Sequence, residues 1–235
     1  MEERIVVYPA NALQHPERNI LNSEVAQGLE KMGYRTYFAQ RDGFDFPDLK
    51  KALSKELKEK SVDSAAKKIT YCLDIGKFMP KSDIILINYN QPLDENIVME
   101  SSYAKKFGKF TIGFGEESKK SQTDNNKMYH ENYKYPAFRF SVSVPYSADK
   151  ETSEKDLAKS LVYRINQMVT DRGTYHNETM SRYVKSNPDL IPFFDGSAIL
   201  FHNIEEIRSK KSLEKIVSRY MKNKKFFDGI RLIKE

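Results

Sequence analysis

Short apolar runs alternate with amphipathic stretches along the first two thirds of the chain. Arg4 to Tyr8 is a β-rich run ending in the turn signal Pro9-Ala10-Asn11, which predicts strand one. Ile20, Leu21, Val25, Ala26, Leu29 and Met32 fall close to the helical period, with Gly33 as the stop. Tyr34 to Gln40 reads as strand two. The loop from Arg41 to Pro47 and a Lys/Glu-rich helical stretch to about Lys60 follow it. Val62, Ala65, Ala66, Ile69, Cys72 and Leu73 mark another helical face. The continuous apolar run from Ser82 to Asn88 predicts a buried parallel strand.

A helix over Asn96 to Phe107, a strand over Lys109 to Phe114, a strand over Phe138 to Val144 and a helix over Ser153 to Met168 complete the series. This alternation predicts an α/β fold: a doubly wound, five-stranded parallel sheet of order 2-1-3-4-5 with right-handed crossovers. We place that domain at residues 1–170. Residues 171–235 are read as a mainly helical C-terminal extension, entered through the break at Asp171-Arg172-Gly173-Thr174. The extension is expected to hold a short helix near Glu178 to Lys185, a strand at Ser197 to Phe201 and a helix from about Ile204 to Met221.

Composition narrows the class. Of 235 residues 39% are hydrophobic and 31% charged, ordinary for a globular protein and too apolar for a disordered one. No apolar run reaches the ~18 residues of a membrane helix, and the first residues are acidic where a signal peptide is basic. The expectation is a cytoplasmic protein with no membrane partner. One cysteine and four scattered histidines argue against a disulfide or a structural metal, and no cofactor is expected. The net charge of +6 is interleaved over most of the chain. It is densest from Arg208 to Lys225, where eight cations face Glu214. Such runs are ordinarily solvated helix faces, with nucleic-acid contact as the alternative.

At about 100° per residue, Ile97, Glu100, Tyr103, Ala104 and Phe107 share one face of their helix. A carboxylate in the middle of a core-facing stripe must be hydrogen-bonded, protonated or functional. In a sheet of order 2-1-3-4-5 the ligand crevice lies outside the carboxyl ends of strands one and three. Tyr8 to Asn11 leaves strand one there, and Asn88 to Asp94 leaves strand three toward Glu100. Asp74 lies round from its helix's apolar stripe, near the carboxyl end, so it reads as solvated surface unless it belongs to a site.

Four pieces together resemble the nucleoside 2-deoxyribosyltransferase family, which includes related nucleotide N-glycosidases. They are Tyr8 with its small-residue turn; Asp74, eight residues before Ser82-Asp83-Ile84-Ile85-Leu86; the Asp94-to-Glu100 spacing; and Tyr103-Ala104-Lys105-Lys106-Phe107-Gly108-Lys109. They span about the first 115 residues. The chain departs from the family's pattern at Asn96 and Ile97, where a glycine and a small or hydroxylated residue are usual, and at Ser102, usually glycine.

The resemblance implies a flavodoxin-like fold and a homo-oligomer acting on a nucleoside or nucleoside 5′-monophosphate. Glu100 would be the nucleophile, with Asp74 and Asp94 as candidates for protonating the departing base and Tyr8 as the hydrogen-bond donor to Glu100. Asn11, Gln40, Asp42, Asn88 and Asn96 are the candidate substrate-binding residues. Two alternatives stand beside this reading. One is a non-catalytic nucleotide-binding or sensor module of the same fold; the other is a nucleic-acid-associated protein using the basic C-terminal helix.

Overall fold

The computed structural model describes residues 4–10, 19–88, 100–104, 109–116, 138–142, 150–172 and 188–232. They group into two units, residues 1–37 with 82–180 and residues 38–81 with 181–235. The sequence places a boundary near residue 170. In the structure the C-terminal segment is joined by residues 38–81, a pairing that no local pattern encodes because partner choice is a tertiary event.

The first unit is built on a wholly parallel sheet. Its full-length strands are β1 (Val6–Ala10), β3 (Ile84–Asn88), β4 (Phe110–Glu116) and β5 (Phe138–Val142), and β2 (Arg35–Thr36) is a two-residue edge. The order is β2-β1-β3-β4-β5. Helices α1 (Asn19–Lys31) and α6 (Lys150–Arg172) cover one face. There Val7, Ile84, Leu86, Phe110 and Ile112 pack with Leu21, Val25 and Leu29 of α1 and Leu157, Leu161 and Ile165 of α6. Strand side chains alternate between faces, so Tyr8, Ile85 and Thr111, aligned in register, look to the opposite face.

Helix α1 stops as its sequence predicts. Gly33 adopts φ +94°, its N–H donates to Glu30 O at 3.0 Å, and the Tyr34 N–H donates to Leu29 O at 3.1 Å. This paired closure needs a left-handed residue, which glycine supplies without a Cβ penalty.

Strand two requires a correction. Burial alternates over Tyr34, Thr36 and Phe38, so the chain is extended as expected, but only Arg35–Thr36 is a strand. The Asp42 carboxylate accepts the Phe38 N–H at 2.8 Å and turns the chain into a short helix, α2 (Ala39–Asp42).

The second unit is helical: α2, α3 (Phe46–Leu53), α4 (Glu59–Leu73), α7 (Ile191–Phe201), α8 (Lys210–Lys222) and α9 (Lys224–Asp228). The helical stretch expected to run to about Lys60 ends at Leu53. Asp45 caps α3, which has proline in its first turn, and α4 begins only at Glu59. Helix α4 runs on through a π-helical turn, Asp74–Phe78, and a 3-10 turn, Met79–Lys81.

Two more expectations fail here. Ser197 to Phe201 is the end of α7 rather than a strand: Phe193, Gly196, Ser197, Leu200 and Phe201 are buried at helical spacing, and Pro192 sits in the first turn. A short apolar run does not distinguish strand from buried helix. The expected helix from Ile204 begins at Lys210, where the Ser209 side chain accepts the Ser212 N–H. The helix expected near Glu178 to Lys185 lies outside the described residues.

Among the described residues no helix is long and apolar enough to cross a membrane.

Candidate functional site

The chain leaves β3 at Asn88, and residues 100–104 form part of the helix α5 that follows, placing α5 on the return path from the carboxyl edge of the sheet. Glu100, Tyr103 and Ala104 are buried and Ser102 is exposed, the helical face that the spacing predicts. Glu100 is 3% exposed and Tyr8 1% exposed. Across a sequence separation of 92 residues, the Tyr8 hydroxyl donates to Glu100 Oε1 at 2.7 Å.

The bond joins the strand and the helix that flank the place where strand order reverses, between β1 and β3. Around it Ile85 and Ile87, on the same sheet face as Tyr8, and Ala104, on the helix of Glu100, are fully buried. In so dry a setting a phenol-to-carboxylate hydrogen bond is stronger than in water, and it fixes the carboxylate's rotamer. A carboxylate aimed and held in this way is suited to attack an electrophilic carbon or to stabilise a nearby cation.

Among the described residues, Tyr8 and Glu100 are sequence-predicted residues that a direct hydrogen bond brings together. Asp74 and Asp42 are described with the second unit. Asp74 is 1% exposed, which removes the solvated-surface reading that stood for it outside a site. Helix α4 does not end there but passes into the π turn, which packs against α7: a Cβ on Gly76 would stand 2.3 Å from Phe193 O and 2.7 Å from the Ser197 Cβ. π turns recur at functional sites. Asp42 serves its own helix through the Phe38 N–H and also receives the Arg41 guanidinium at 2.8 Å. For Gln40 and Asn88 the backbone is described, in α2 and β3. Asn11, Asp94 and Asn96 lie outside the described residues.

Thr111 went unnoticed in the sequence. It is 3% exposed, in register with Ile85, which pairs in turn with Tyr8. Its signal is a lone hydroxyl within an apolar strand. Among the described residues no group of three or more His, Cys, Asp or Glu side chains is placed to hold a metal ion.

These features define an α/β protein with a buried tyrosine–carboxylate pair at a switch point of its parallel sheet. No protein-family model matches the chain, and no curated protein matches it significantly.

Proposed function

We propose that the protein cleaves the N-glycosidic bond of a nucleoside or nucleoside 5′-monophosphate through a glycosyl ester on Glu100. The observation that carries this reading is the 2.7 Å bond from Tyr8 to Glu100, buried at the reversal of strand order. The sheet order suits the flavodoxin-like fold that the resemblance implies, and the four sequence pieces around Tyr8, Asp74, Asp94 and Glu100 supply the substrate class.

In this mechanism a Glu100 oxygen bonds to the anomeric carbon as the carbon–nitrogen bond breaks. The electron pair leaves with the base, which takes a proton from an acid. The sequence offers Asp94 and Asp74 for that role, and the Asp→Asn variants discriminate between them. The sugar passes through an oxocarbenium-like transition state, which an adjacent carboxylate stabilises. Water or a second base then attacks the same carbon and releases Glu100. Tyr8 holds the attacking carboxylate in one rotamer throughout.

The test is chromatographic. Wild-type protein and Glu100→Gln are incubated with a panel of nucleosides and 5′-monophosphates, with and without an acceptor base. Base release by the wild type and its loss in the variant support the reading, and dependence on the acceptor distinguishes transfer from hydrolysis. Ligand binding by folded protein, with no release from any substrate, overturns it in favour of a non-catalytic nucleotide-binding module.

A further inference from the structure

The excess positive charge of this chain is not spread over both units. Residues 38–81 and 181–235 hold 22 Lys and Arg against 14 Asp and Glu, whereas residues 1–37 and 82–180 hold 17 against 19. One unit therefore carries a net +8 and the other a net −2.

Within the basic unit, α8 separates its charge from its apolar side. Ile216, Val217 and Tyr220 are buried. Lys211, Lys215, Ser218 and Lys222 are exposed, and at about 100° per residue they lie within an arc of roughly 60°. Two cations of the run are committed internally. Arg219 Nη1 donates to Leu200 O and His202 O, both at 2.8 Å, and Lys224 pairs with Asp228. The other six, Arg208, Lys210, Lys211, Lys215, Lys222 and Lys225, are exposed.

We infer that this face of α8 binds the phosphate backbone of a nucleic acid without regard to sequence, a property independent of the Glu100 reading. The three stripe lysines are spread over about 16 Å of a rigid helix, too far apart to converge on one small anion and suited to a repeating one. A membrane-surface helix of this charge would also present large apolar side chains beside its lysines. Among the described residues the exposed large hydrophobics are Met32, Tyr163 and Ile191, none of them on α8. With no exposed aromatic ring there to stack on bases, recognition rests on phosphate contacts and is strongly salt-dependent.

The experiment measures binding of a short fluorescein-labelled single-stranded RNA to the full chain by anisotropy, across about 50 to 200 mM salt. The triple variant Lys211→Gln/Lys215→Gln/Lys222→Gln is expected to lose at least tenfold in affinity at the low-salt end. Its log–log salt slope should be shallower by about 2. The triple variant Lys55→Gln/Lys58→Gln/Lys60→Gln removes the same charge from exposed positions elsewhere in the unit and is expected to keep the wild-type slope. Circular dichroism melts verify that both variants are folded. Three results overturn the inference: no RNA binding at low salt, equal losses in the two variants, or binding to phosphatidylserine vesicles in place of RNA.

Discussion

Both units bury ionisable side chains, but they use them differently. In the helical unit Lys68 and Cys72 complete the packing. Lys68, 8% exposed, donates from Nζ to Phe227 O at 2.8 Å and so satisfies a carbonyl near the end of α9. Burial lowers its pKa, Asp228 opposes that effect and Lys224 reinforces it. Cys72 is fully buried, and burial pushes its thiol up to about 12, so it behaves as a small hydrophobe. In the sheet unit the buried pair links two distant elements. Tyr8 and Glu100 join a strand to a helix at the edge where open α/β sheets take ligands. The lesson is that burial alone does not mark a site; what marks it is burial at a place the topology leaves for a ligand.

The largest expected effect separates the units by function. Glu100→Gln keeps an acceptor for the Tyr8 hydroxyl but cannot form the ester, so base release should fall at least about a thousandfold with little change in melting temperature. Comparable release by the variant would break the contrast.

Next comes Gly76→Ala. Its methyl would meet Phe193 O at 2.3 Å, so the helical unit should lose roughly 1–3 kcal/mol. Residue-resolved amide hydrogen exchange locates the loss, which is expected in residues 38–81 and 188–232. Tyr8→Phe deletes a buried hydrogen bond to a carboxylate, worth roughly 1.5–3 kcal/mol. If the bond aims the nucleophile, kcat falls roughly 10- to 100-fold while KM changes little. A rise in KM alone would make Tyr8 a binding residue.

How far these features were legible in the sequence depends on whether local pattern or tertiary partner decides. The burial of Glu100, Tyr103 and Ala104 followed from helical spacing, and the stop at Gly33 from one residue's backbone freedom. The apolar run of β3 identified a strand without any partner in view. Ser197 to Phe201 failed because an apolar run of that length suits a strand or a buried helix equally, and only the packing of Gly196 against Cys72 and Phe227 decides. The burial of Asp74 was not legible from periodicity, because a π turn is invisible to a 100° wheel. The association of residues 38–81 with the C-terminal segment depends on contacts such as Lys68 with Phe227, 159 positions apart. Tyr8 and Glu100 were each legible from local pattern, whereas the bond between them was expected only through the family resemblance and is seen in the fold.

The smallest effect concerns alkaline pH and buried groups of the helical unit. Cys72, raised from 9.0 to about 12, and Tyr220, raised from 10.0 to about 12, both stay protonated longer in the folded state. Their contribution to stability is therefore intact below the unfolded pKa and is lost as pH rises toward the folded one. Lys68 and Lys77 are lowered from 10.5 and act oppositely, adding stability as pH climbs to that value. Between about pH 10.5 and 12 nothing from these lysines offsets the decline. Cys72→Ala should flatten part of it in pH-dependent urea melts. An unchanged decline would mean that the thiol is not the source.

The most direct test of the central claim is intact-protein mass spectrometry of the acid-quenched reaction with the nucleoside substrate. The account predicts an added pentosyl group that maps to the peptide containing Glu100 and is absent from Glu100→Gln. An adduct on a different carboxylate, or undiminished base release by Glu100→Gln, would contradict it.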